Sequence, residues 1–316
     1  MGNFFGSLTE FFLSGILIAI IAHGLIGISL IWDKVLLQRR ETKNLLSYVF
    51  WLGAISIFGL VLIPFGFTWP GFRTAGLGFA AGVLDLIAAY FYYAALKAGE
   101  ASDELAAMGG FAPVATALLS IPFLKAPTGG HFVGFTAMTL GGFIMFFAEK
   151  KPLKVMLPRI ILASAAFGMT DVLQKIVFNS TSFVSGYVFF TLGTFFGSVA
   201  LLVPPGWRRQ IFQQSEEATP RSKFWYLVNR FLAGVGSFLV VFAVSRASPA
   251  MVEAISGVRY VIIFIGAYGI TKLKPSWFCE DFRSWVLVAK LTATCLVVAG
   301  LVLVGIHGGQ ASSGPQ

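Results

Sequence analysis

Charge is scarce in this chain. Asp, Glu, Lys and Arg make up 12% of its 316 residues, against about 25% in an ordinary soluble domain. That shortage excludes a conventional water-covered surface. Cysteine is nearly absent: Cys279 and Cys295 have no CxxC and no Cys/His spacing, which excludes a sequence-coded metal or dithiol site. The three histidines, His23, His131 and His307, lie far apart and mostly near the ends of apolar runs. No HExxH and no Ser-His-Asp arrangement is present, so no catalytic residues are expected and the chain reads as a non-enzyme. Its glycine-rich segments lie inside apolar runs, where a phosphate cradle is implausible. No room is left for a nucleotide-binding domain, and no cofactor is expected. A basic leader is missing too: Glu10 is the lone charge before the first apolar run. That run continues to about residue 37, too long for a cleaved signal, and is expected to be a membrane helix.

What is present is apolar sequence. The chain is 57% hydrophobic, with a mean hydropathy of +0.81. A bilayer core needs about 20 apolar residues per helix. Ten stretches qualify as spans: 11–35, 45–65, 75–96, 104–124, 132–147, 157–178, 184–203, 224–244, 249–270 and 285–306. The predicted fold class is therefore all-α and polytopic, with the lipid bilayer as partner. The net charge of +9 forms no basic stripe. The cations sit between apolar runs, as membrane topology demands, and nucleic acid is not an expected partner. The loop 204–223 carries mixed charge, and the Gly/Ser-rich tail 307–316 is expected to be disordered.

The second five stretches echo the first five. Gly27-Ile28-Ser29 leads to Asp33-Lys34 in the first span, and Gly168-Met169-Thr170 leads to Gln174-Lys175 in the sixth. Both fit Gly-x-(Ser/Thr)-x-x-x-(Asp/Gln)-Lys. In the fourth span AMGGFAPV, from Ala107, aligns with AISGVRYV in the ninth, from Ala254. The offsets are 141 residues (168 − 27) and 147 residues (257 − 110). Two ordered matches at nearly one offset argue against chance, with an insertion in the second half explaining the difference. The chain thus divides into residues 10–150 and 154–306. Five is odd, so the second copy enters the membrane inverted, and inverted repeats usually meet at a central cavity.

The run YFYYAALKAGEAS from Tyr90, followed by FAPVATALL from Phe111, resembles the signature of EamA-like transporters in the drug/metabolite transporter superfamily. There an aromatic-rich helix ends in an Ala-Leu-Lys-x-Gly element and a proline follows within the next helix. FAVSRASP, from Phe242, looks like a weaker second copy. The resemblance covers residues 10–306. It implies a ten-helix fold with spans 1, 3, 4, 6, 8 and 9 around a pocket. One departure stands out: after the fourth span the family often carries Gly-Glu, where this chain has Lys125-Ala126-Pro127-Thr128-Gly129-Gly130.

Positive charge predicts the orientation. Sixteen Lys and Arg residues fall in odd-numbered loops, including Arg39, Arg40, Lys43, Lys150, Lys151, Arg208 and Arg209. Four fall in even-numbered ones: Arg73, Lys125, Lys175 and Arg246. The rule puts the odd loops in the cytoplasm and both termini outside. The resemblance implies both termini inside.

A charge deep in a span costs at least about 2.5 kcal/mol and usually faces a cavity or a partner. Asp85, Asp171, Glu253 and Arg259 stand out by depth. Each also has a structural reading. Asp171 and Lys175 are an i, i+4 pair in the favourable order. Arg259 can pair with Asp85 across the bundle. Glu253 follows Pro249 and can suit the positive end of its helix. Asp33-Lys34 and Arg230 lie nearer the interface and can snorkel. Tyr90 and Tyr93 are three apart and share a helix face, with Tyr92 pointing elsewhere. They line the pocket or belong to an interfacial belt. Tyr260 takes the place of Pro113 in the other half and would make the pocket asymmetric. Pro113 can kink the fourth span. Gly78-x-x-x-Gly82 and Gly193-x-x-x-Gly197 favour close helix contact.

The expected function is secondary transport of a small polar or amphipathic molecule by alternating access, with Asp85, Tyr90, Tyr93, Asp171, Glu253, Arg259 and Tyr260 around the substrate. Buried carboxylates can exchange protons near neutral pH. Asp85, with no partner one turn away, is the expected proton site. Lys175 is expected to hold Asp171 ionised, and Arg259 to bind an anionic group. A flippase for a lipid-linked carrier is the nearest alternative; a membrane-embedded enzyme and a purely structural subunit are more distant ones. A bacterial inner membrane is the expected location, and a second copy of the chain is a candidate partner.

Overall fold

The computed structural model describes residues 15–38, 44–98, 101–124, 130–148, 153–217 and 219–273, with helical residues at intervals between 285 and 303. The expected tenth span is therefore described only in part. The tail 307–316, residues 125–129 and the side chain of Tyr260 lie outside the described residues.

Helix follows helix, and no strand occurs among the described residues. The elements are α1 (Gly15–Gln38), α2 (Leu45–Ile55) running into a 3₁₀ segment (Ser56–Phe65), α3 (Phe72–Ala98), α4 (Ala101–Ser120) and α5 (Gly130–Ala148). Then come α6 (Leu153–Ser180), α7 (Phe183–Ala200), α8 (Pro205–Glu217), α9 (Pro220–Arg246), α10 (Pro249–Ile255) and α11 (Val258–Leu273). Six of these stretches are long and apolar enough to cross a membrane, which makes the chain an all-α integral membrane protein.

Local chemistry sets the starts. The side chains of Asn44, Ser182 and Thr219 accept from the N–H groups of Ser47, Ser185 and Ser222, satisfying donors that a helix start leaves free. Pro220 and Pro249 stand in the first turns of α9 and α10, where a missing N–H costs nothing. The 3₁₀ segment ends at Gly66, whose φ of 108° is left-handed backbone that suits glycine.

Two features depart from what the sequence predicts, and a third follows it. The mixed-charge loop 204–223 contains a helix. In α8, Ile211 is buried, its carbonyl accepts from Ser47 Oγ at 3.2 Å, and Phe212 packs edge-on against Phe50 of α2. Ile211 is the buried residue of this helix, and the charges around it hide it in the sequence. Second, α4 runs through Pro113 without interruption. The break lies in the ninth span instead, at Ser256-Gly257, the residues aligned with Gly109-Gly110. Here the Ser256 and Gly257 N–H groups bond three residues back, to Glu253 and Ala254 carbonyls at 3.0 and 3.3 Å. Third, the two glycine motifs pack on each other. A methyl group added to Gly82 would overlap the Phe190 carbonyl oxygen, and one on Gly193 would overlap that of Phe79. The backbones of α3 and α7 therefore touch, and Thr194 Oγ1 donates to the Gly82 carbonyl at 3.1 Å.

Candidate functional site

A cavity of about 790 Å³ lies among α1, α2 with its 3₁₀ extension, α3, α4, α6, α7, α9, α10 and α11. That size is within the ordinary range for small-molecule sites. Two polar clusters line it.

The first joins α1, α2, α3 and α9. Asp33 of α1 is fully buried and ion-paired with Arg230 of α9. The same carboxylate accepts from Tyr48, Tyr93 and Asn229. Arg230 Nη1 donates to the Tyr93 hydroxyl at 3.0 Å, and the guanidinium lies 5.2, 5.8 and 5.4 Å from the ring centres of Tyr48, Tyr93 and Tyr226. Three aromatic faces around one cation form a cage. Tyr226 also donates to the Tyr48 carbonyl at 3.0 Å, fastening the start of α9 to the start of α2. The expectation that Asp33 and Arg230 snorkel is thus corrected. Each finds its counter-charge inside the bundle, on a helix distant in sequence.

Lys34 does not snorkel either. Its Nζ donates to the Leu96 carbonyl at 2.8 Å, in the last turn of α3, where helix carbonyls lack internal partners. Arg159 donates to Ala94 in the same helix end at 3.1 Å. Lys175 reaches across to the Ser245 carbonyl in the last turn of α9, at 3.1 Å. Its expected pairing with Asp171 is replaced by this cap.

The second cluster lies near the middle of the spans. Asp171 of α6 and Glu253 of α10 are hydrogen-bonded through their carboxyl groups, with Asp85 of α3 and Arg259 of α11 close enough to act on the same charge. Glu253 therefore serves α6 rather than the start of its own helix. The expected Asp85–Arg259 pair does not form. Arg259 Nε donates to His23 Nδ1 at 2.8 Å, and His23 Nε2 meets the Val252 carbonyl at 2.9 Å. An arginine can only donate and a carbonyl can only accept, which fixes His23 as the Nε2–H tautomer. The Val252 carbonyl is available because the tight turns at Ser256-Gly257 redirect the N–H that would otherwise reach it. Asp85 accepts no hydrogen bond from the described residues and opens onto the cavity with Gln174 and Tyr187.

Of the candidates named from the sequence, Asp85, Tyr93, Asp171, Glu253 and Arg259 line this cavity. Tyr90 does not: it is 37% exposed and packs edge-on against Phe91. The lining positions of α3 are Asp85, Ala89, Tyr92 and Tyr93, at i, i+4, i+7 and i+8. Tyr90 falls about 110° from the centre of that stripe at 100° per residue. Tyr92, expected to point away, lies on it. Sequence reasoning missed Asp33, Arg230, Gln174 and His23 at this site. His23 sits well inside α1, and depth alone could have marked it.

A solved structure described as "Crystal structure of protein" is similar to this chain, with a TM-score of 0.64 and 13% identity over 95% of this chain and 99% of that one. At that identity the likeness shows a shared fold. No family model and no curated protein matches the chain.

Proposed function

We propose that the chain is an EamA-like secondary transporter of the drug/metabolite superfamily. It has ten spans in two inverted five-helix halves and moves a small polar or amphipathic molecule by alternating access. The observation that carries this reading is the cavity among the spans, which gathers ionisable groups from both halves: Asp33 and Asp85 from the first, and Asp171, Arg230, Glu253 and Arg259 from the second. Between the 3₁₀ segment and α9 the cavity reaches the surface. Phe58, Val61 and Phe231 line the cavity there and are still 73%, 67% and 77% exposed.

Equivalent contacts support the duplication. Gly27 of α1 packs on Arg259 and Ile262 of α11, and Gly168 of α6 packs on Thr116 of α4. With residue 110 aligned to 257, Thr116 falls one residue from the place of Ile262. The lysine caps correspond as well: span 1 to span 3, and span 6 to span 8. Uptake of a metabolite panel into proteoliposomes, with and without a pH gradient, tests the reading. Uptake no faster than in empty liposomes for every compound overturns it.

The opening beside Phe58 and Phe231 favours one second reading, a flippase for a lipid-linked carrier. A headgroup would occupy the polar cavity while its chain left through that opening into lipid. Scrambling of a fluorescent polyprenyl phosphate in the same proteoliposomes separates the two.

A further inference from the structure

Several buried polar atoms of the cavity wall lack a hydrogen-bond partner among the described residues, Ser29 Oγ and Arg230 Nε among them, and two are pure acceptors. Asp171 Oδ2 and Gln174 Oε1 are buried, in side chains only 6% and 2% exposed, and neither has a hydrogen-bond partner among the described residues. A buried acceptor without a donor is unfavourable unless a ligand supplies one. Asp171 and Gln174 are three residues apart on α6, so both acceptors look out from one helix face. The Asp85 carboxyl opens onto the same space.

The charges agree. Asp85, Asp171 and Glu253 bring three carboxyls to the cavity wall. Of the cations lining the cavity, Arg230 is paired with Asp33, while Arg259 keeps its charge because the His23 it donates to is neutral, so three carboxyls face one cation. Acid is in excess. The surrounding wall is apolar, with Phe167, Phe190 and Phe238 among its residues.

We propose that this part of the cavity binds a primary ammonium group carried on a compact apolar body, with Asp171 Oδ2, Gln174 Oε1 and the Asp85 carboxylate as acceptors. A primary ammonium has three N–H donors and no acceptor, matching three acceptors on one cavity. The proposal rests on the reading of this cavity as the transported molecule's site. It narrows the substrate class from polar metabolites in general to amines.

Three probes on one skeleton test it: phenethylamine, 2-phenylethanol and phenylacetate. Binding is measured by calorimetry on the full chain purified in detergent, where no gradient and no transport are needed. Phenethylamine is expected to bind about tenfold or more tighter than either of the others. Asp171→Asn is expected to weaken it about tenfold. Gln174→Glu conserves size, adds an acceptor charge, and is expected to tighten the amine about tenfold. Because Asp171→Asn can also disturb the Glu253 contact, the gain in Gln174→Glu is the deciding sign. Phenylacetate binding as tightly as the amine overturns the proposal, as does no binding of any probe at millimolar concentration. Gln174→Glu leaving amine affinity unchanged or weaker overturns it too. Labelled phenethylamine flux into proteoliposomes separates the two layers. Binding without flux keeps the ammonium site and removes the transporter reading; flux of another compound without amine binding does the reverse.

Discussion

Lys34 and Lys175 make the same contact from different helices. Each crosses to a neighbouring helix and donates to a carbonyl in its last turn, Leu96 in α3 and Ser245 in α9. A cation at a helix C-terminus satisfies an orphaned carbonyl and opposes the negative end of the dipole. Lys34 is buried and Lys175 half-buried, so the two caps should differ in weight. Lys34→Met is expected to cost about 1–3 kcal/mol, the penalty for a buried acceptor left unmade, and Lys175→Met less. Thermal unfolding of the two variants in detergent measures the order. An equal or reversed ranking shows that burial does not set the strength of these caps.

The α3–α7 contact is a matter of atoms that cannot coexist. Gly82→Ala sets a methyl group against the Phe190 carbonyl and is expected to cost about 3 kcal/mol or more by overpacking. Gly76, on the same helix, has nothing within 4 Å of an added Cβ. Gly76→Ala should be neutral or slightly stabilising through helix propensity. Folded yield on size-exclusion chromatography compares them directly.

The Asp33–Arg230 pair is buried on both sides. Removing one partner strands the other charge, at a cost of about 3–5 kcal/mol. Asp33→Asn and Arg230→Gln should each destabilise strongly, and the double variant should lose less than the two single losses combined. A double-mutant cycle on thermal stability reads the coupling; additive losses would mean that the cage is held by its tyrosines alone.

Orientation is tested at Gln213, on the exposed side of α8. If the charge bias governs insertion, a cysteine replacing Gln213 reacts with an impermeant maleimide only after the cells are opened. Labelling of intact cells inverts the assignment.

Asp85 tests proton coupling. It faces the cavity without a donor from the described residues, so Asp85→Asn should leave the protein folded and remove any dependence of uptake on a pH gradient. Transport by Asp85→Asn with its pH dependence intact would make Asp85 a polar contact and nothing more.

Hydropathy made the helices legible, because each long span needs apolar residues over its whole length and nothing tertiary disguises them. Helix α8 escaped notice because Arg208, Arg209, Glu216 and Glu217 lower its hydropathy while Ile211 carries its packing. The break at Ser256-Gly257 was hidden for the opposite reason: its small residues sit inside an unbroken apolar run, and Pro113 in the other half drew the expectation of a kink. The depth of Asp85, Asp171, Glu253 and Arg259 was visible, but their partners were not. Which acid meets which base depends on how α1, α6 and α10 are placed, and no spacing along the chain encodes that. Asp33 and Arg230 lie 197 positions apart, so each looked like an isolated charge near a span end.

The touching backbones at Gly82 and Gly193 have a mechanical consequence. Two helices separated by side chains can slide as rotamers change, but at the crossing of Gly82 and Gly193 these have no side chain between them to rearrange. The pair behaves as a strut. On the transport reading proposed above, work done on the cavity would be absorbed elsewhere, at the seam between the 3₁₀ segment and α9, where little packing has to be undone.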